Sequence, residues 1–238
     1  MNLATAYSAA TFRQQAHALV DLLADHLDRA ETGTAPVINY SEPDEQLAYW
    51  QADFAQPTND DPLPLFADMI SRSIHLHNSR FMGHQVAVPL PLATLTGLLT
   101  GMLNQGQAVY EMGMTANALE RIVTQWLANK LGLGPEAGGL LTSGGTLANL
   151  TALLTARAIV APSDVWTEGS TDRLAIMVSE EAHYCVDRAA RIMGLGSAGI
   201  IKIPTNDSYQ MRTDLLDTYL DQATASGLTV FAVIGSAC

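Results

Sequence analysis

Ser143, Gly144, Gly145 and Thr146, in the stretch LLTSGGTLANLTALLTAR, place two glycines between two hydroxyl residues where an apolar run gives way to a helical pattern. That combination suits an anion. The first backbone N–H groups of a helix lack internal partners and carry the positive end of its dipole. Glycine lets the backbone approach a ligand, and the Thr146 hydroxyl adds a donor. The plain alternative is an ordinary helix start with Ser143 or Thr146 as N-cap. A nucleotide P-loop is excluded, because no lysine follows the glycines.

His183, in SEEAHYCVDRAARIMG, is the second candidate. It follows a strand pattern, and residues past the carboxyl ends of parallel strands line ligand crevices. Taken singly, a lone histidine is more often structural. His75 and His77 are two apart, which points them to different faces of a helix, and no metal set is expected. GLGSAG, Gly194 to Gly199, matches a dinucleotide-binding fingerprint in letters, but it follows a helix and precedes a strand, so it reads as a plain loop.

These candidates need elements to position them. Amphipathic spacing predicts a helix over 8–30, with Phe12, Ala16, Leu19, Leu23 and Leu27 on one face. Helices follow around 45–54 and 65–74, separated by Pro57, Pro62 and Pro64. The Gly- and Thr-rich apolar stretch 92–103 suits a buried, closely packed helix, and 116–131 reads as a clearer one. From Gly139 the pattern alternates. GLLT, RLAIMVS, GIIKIP and LTVFAVIGS read as strands, with helices over about 146–160, 186–193 and the stretch TDLLDTYLDQATASG between them. Strands alternating with helices imply βαβ units and a mostly parallel sheet.

Composition sets the limits. The chain has 238 residues, 48% of them apolar and 15% charged, which supports a sizeable core. A net charge of −12 argues against a nucleic-acid partner. Two cysteines, Cys185 and Cys238, imply no disulfide framework, no apolar run suggests a membrane span, and no signal peptide is evident. A cytoplasmic location is the default expectation. The chain stops at Cys238 directly after an apolar strand, which reads as a sheet interrupted partway.

Taken in order, SRFMGHQ, NQGQAVYEMG, ALERIVTQWLANKLGLG, LLTSGGTLANLTALLTARA, SEEAHYCVDRAARIMGLG and VFAVIGSAC resemble the group II pyridoxal-phosphate-dependent amino-acid decarboxylases, the glutamate, diaminobutyrate and aromatic-amino-acid group, in their N-terminal part. The resemblance implies an α/β fold of fold type I: a helical segment over 1–60, expected to wrap a dimer partner, then an incomplete cofactor domain over 61–238. It implies pyridoxal 5′-phosphate as cofactor, gripped through its phosphate by Gly145 and Thr146. His183 would stack on the pyridine face and assist proton transfer, and His84 would lie near the substrate side chain. The implied reaction is loss of CO2 from an L-amino acid, with the electrons drained into the pyridine ring.

The same resemblance requires a lysine for the Schiff base and an acid for the pyridine nitrogen, both beyond VIGSAC. The two lysines here, Lys130 and Lys202, match neither position. By this reading the chain alone is inactive: it is a fragment of a longer chain or one half of an enzyme whose C-terminal half is a second polypeptide, and the expected partner is a second copy in a homo-oligomer (dimer) or that second polypeptide. Two alternatives stand beside it. One is another fold-type-I activity, such as an aminotransferase or carbon–carbon lyase. The other is an inactive relative serving as a binding or assembly module.

Overall fold

The computed structural model describes residues 6–56 and 61–236 and divides the chain into two compact units, Met1–Gln105 and Gly106–Cys238. Pro57, the boundary expected near residue 60, and Cys238 lie outside the described residues.

The first unit is helical. Helix α1 (Ala9–Glu31) begins at Ser8, whose Oγ accepts the Thr11 N–H at 3.2 Å, so a side chain satisfies one free donor of the first turn. Helix α2 (Pro43–Phe54) starts with proline in its first turn, and the Glu42 N–H donates to the Glu45 carboxylate at 3.3 Å. Helix α3 (Leu63–Ser71) packs against α1. Helix α4 (Pro91–Leu103) ends at Asn104, whose φ of +44° takes the left-handed conformation that stops a helix. Burial of α4 was the expectation from its composition, yet Leu92, Leu95, Leu98, Leu99, Met102 and Leu103 are exposed. Apolar composition specifies a helix that can be buried but does not itself supply a partner.

The second unit carries the sheet. A 3-10 turn (Tyr110–Met112) leads into α5 (Met114–Lys130). Then come α6 (Gly145–Val160), a short α7 (Val165–Glu168), β1 (Leu174–Ser179), α8 (Tyr184–Ile192), β2 (Ile200–Ile203), a second 3-10 turn (Thr213–Leu215), α9 (Leu216–Ala225) and β3 (Thr229–Ile234). The strands are parallel in the order β2-β1-β3. Every residue of β1 is buried, as expected for a central strand that reads as one continuous apolar run. Helices α6 and α8 pack together, and the core gathers Leu153, Ile176, Val178, Val186, Ala189 and Phe231.

One expected strand is absent. Residues 139–142, GLLT, form no strand and pair with none among the described residues. The Leu141 N–H donates to the Glu120 carboxylate of α5 at 2.6 Å, so a side chain takes the place of a ladder neighbour.

Candidate functional site

Helix α6 opens without a side-chain cap. Its N-cap is Gly144, and neither Ser143 nor Thr146 bonds the first-turn amides. The Thr142 hydroxyl donates instead to the Gly144 carbonyl at 3.0 Å, and that carbonyl also accepts the Leu147 and Ala148 N–H groups at 3.1 Å each. The start of α6 is therefore ordered, while no side-chain cap takes up its first-turn N–H groups.

The two glycines are not demanded by the fold. Gly144 has a φ of 168°, an extended conformation open to any residue, and a Cβ added at Gly144 or Gly145 would meet nothing within 4 Å. What a side chain there would fill is open space. That space is a cavity of about 360 Å³ bounded by Ser143 to Leu147 together with Leu150, Ala189 and Ile192. Its lining joins the start of a helix, Ser143 to Thr146, to the apolar residues Leu147, Leu150, Ala189 and Ile192, a combination suited to an anionic group joined to an apolar body.

His183 lies four residues past β1 and is the N-cap of α8. Its Nδ1 accepts the Cys185 N–H at 3.2 Å, and its exposed ring stands 4.2 Å from that of Tyr184 at a tilt of 38°. The preceding turn is fixed on both sides. Ser179 Oγ accepts the Glu181 N–H at 3.2 Å, and the Glu180 carboxylate accepts the Thr205 N–H and hydroxyl at 2.7 and 2.9 Å. These bonds tie the exit of β1 to the segment that leaves β2.

Gly145, Thr146 and His183 thus belong to one unit, on two helices that pack together. His84 belongs to the first unit, on an exposed loop. The two lysines are both placed. Lys202 in β2 reaches Asp187 Oδ1 of α8 at 2.6 Å, and Lys130 at the end of α5 stands 5.8 Å over the Trp126 ring. Gly194 to Gly199 form the turn before β2, as read from their order.

Two further residues join the site. Asn149 Nδ2 donates to Cys185 Sγ at 3.2 Å, so α6 is bonded to the residue whose amide holds His183. The sequence offered one signal for Asn149: it follows Gly145 by four and shares its helix face. Among the described residues no group of three or more histidine, cysteine or acidic side chains is arranged to hold a metal, and no helix is long and apolar enough to cross a membrane.

Residues 63–237 match the pyridoxal-dependent decarboxylase conserved domain. A glutamate decarboxylase-like protein of Gibberella zeae is 36% identical over 174 residues, which are 71% of this chain and 34% of that protein. The aromatic-L-amino-acid decarboxylase of Bacillus atrophaeus is 26% identical over 237 residues, 97% of this chain and 47% of that protein. In fold, the chain resembles the glutamate decarboxylase domain of a diaminobutyrate-pyruvate transaminase and L-2,4-diaminobutyrate decarboxylase from Vibrio parahaemolyticus. The TM-score is 0.82 at 24% identity, covering 96% of this chain and 51% of that one. The chain spans between a third and a half of the length of these relatives.

Proposed function

The chain belongs to the pyridoxal-dependent decarboxylase family, and we propose that it forms the phosphate-gripping and ring-stacking part of an enzyme that removes CO2 from an L-amino acid. The observation that carries this reading is the uncapped start of α6, where two glycines border open space that the fold itself leaves unfilled. The donors present fit the family's cofactor, pyridoxal 5′-phosphate: amides at a helix N-terminus and the Thr146 hydroxyl for the phosphate, apolar walls for the body.

Pyridoxal phosphate, when bound, supplies an electron sink for the carbon that loses CO2. The tasks of this chain are to bind and to orient. Gly145 and Thr146 take the phosphate. His183 would stack on the ring, and its Nε2, left free by the Nδ1 bond, would be the nitrogen available to assist proton transfer. His84 would lie near the substrate side chain, as the family resemblance implies.

The Schiff-base lysine is neither Lys130 nor Lys202. The Lys202 ammonium is held by Asp187, which supports assigning it to structure. Residues outside this chain, from a longer polypeptide or a second one, complete the site.

Borohydride reduction of the natively purified protein, followed by mass mapping of every polypeptide present, tests this. The expected result is a pyridoxyl adduct on a lysine other than Lys130 and Lys202. An adduct on either of those two overturns the assignment. Absence of any adduct with cofactor supplied overturns the enzyme reading in favour of an inactive binding module.

A further inference from the structure

We propose that Asn149 is a positioning residue that, through Cys185, holds His183 in a fixed orientation relative to the anion cradle and in its Nε2–H tautomer. The proposal rests on the reading of the cradle and of His183 given above, and it adds the link between them. Asn149 stands four residues after Gly145, on the same face of α6. Its Nδ2 donates to Cys185 Sγ at 3.2 Å, and the Cys185 N–H donates to His183 Nδ1 at 3.2 Å. Cys185 is 4% exposed and belongs to the core, so the middle of this chain of bonds is anchored.

Two details separate this from ordinary surface hydrogen bonding. Thr151 and Thr155, also polar residues of α6, turn their hydroxyls back onto the Leu147 and Thr151 carbonyls of their own helix at 2.8 and 2.9 Å. Asn149 instead reaches another helix. Further, a ring nitrogen that accepts an N–H carries no proton, so the neutral imidazole keeps its proton on Nε2. The bond sets both the position of the ring and the atom that carries its proton.

The test is a long-range proton–nitrogen spectrum of the protein labelled with nitrogen-15 histidine, with His183 assigned by His183→Gln. The wild type is expected to show His183 protonated at Nε2. Asn149→Ala and the near-isosteric Asn149→Asp, which lacks the donor, are expected to raise the share protonated at Nδ1. Cys185→Ala should do the same, whereas Cys185→Ser keeps an acceptor and should restore the wild-type pattern. Titration with pyridoxal phosphate should weaken about 3- to 10-fold in Asn149→Ala, the scale of one lost hydrogen bond, with inorganic phosphate binding unchanged. A wild-type ring protonated at Nδ1, or an unaltered tautomer in both Asn149 variants, overturns the proposal. A tautomer that shifts as expected in a protein whose wild type binds neither probe upholds the link and overturns the cradle reading instead.

Discussion

Lys202 Nζ lies 2.6 Å from Asp187 Oδ1, joining strand β2 to helix α8 through an ion pair whose side chains are 38% and 32% exposed. A pair this open to water is screened, and exposed pairs contribute well under about 1 kcal/mol. Lys202→Met is therefore expected to lower the denaturant midpoint slightly and to leave pyridoxyl mapping unchanged. Asp187→Asn should match it, and the double variant should lose little more than either. A loss of adduct in Lys202→Met would give this lysine a role in the chemistry.

Gly145 separates binding from folding. It is the first residue of α6, and a Cβ there meets no atom within 4 Å. Alanine favours a helix over glycine by about 0.5–1 kcal/mol. Gly145→Ala is therefore expected to raise the melting temperature slightly while weakening inorganic phosphate binding, and Gly145→Val to abolish that binding without unfolding the chain. A thermal scan beside a phosphate titration checks both. Unchanged phosphate affinity in Gly145→Val would remove the anion site from this turn.

Gly199 should behave in the opposite way. A Cβ there would lie 2.7 Å from the backbone oxygens of Leu174 and Leu195, and the Gly199 carbonyl accepts the Ile176 N–H at 2.8 Å. Backbone atoms in a parallel ladder cannot move aside as a side chain can. Gly199→Ala is expected to cost about 1–3 kcal/mol, the range for overpacking a well-filled site, read as a lowered denaturant midpoint. A neutral Gly199→Ala would contradict the packing of β1 against the turn that precedes β2.

This contrast bears on what was legible beforehand. Both glycine motifs are visible as letters; the helical pattern after Gly145 marked a helix start, and the helix-then-strand order around Gly194 to Gly199 marked a plain turn. Strand β1 was legible because five consecutive apolar residues, Leu174 to Val178, suit a central strand, and the Ser179 that closes it is buried with them. GLLT was misread because a strand is defined by its neighbour. The neighbour here is the Glu120 side chain, 21 residues earlier on α5, which no local pattern encodes. Asn149, one turn into the helix, reads from the sequence as packing or capping, and Cys185 carries no signal, for a similar reason. An asparagine on a helix and a cysteine in a core are unremarkable types, and their meaning lies in a contact across 36 residues.

The first unit carries a pH dependence of its own. His26 of α1 is partly buried, and its ring stands 4.8 Å edge-on from that of His75, which is 4% exposed. Burial lowers the pKa of His26 below its ordinary value, and electrostatic repulsion from His75, His77 and Arg29 nearby lowers it further. With the folded pKa lowered, the unfolded chain takes up a proton first as pH falls through the ordinary histidine value of about 6.5. Stability contributed by the neutral ring is present above that value, declines as pH drops toward the folded pKa, and levels off below it. Melting temperature between pH 8 and pH 5 is therefore expected to fall on acidification. His26→Gln should flatten that slope. Equal slopes in the wild type and His26→Gln would show that His26 is not the group being titrated.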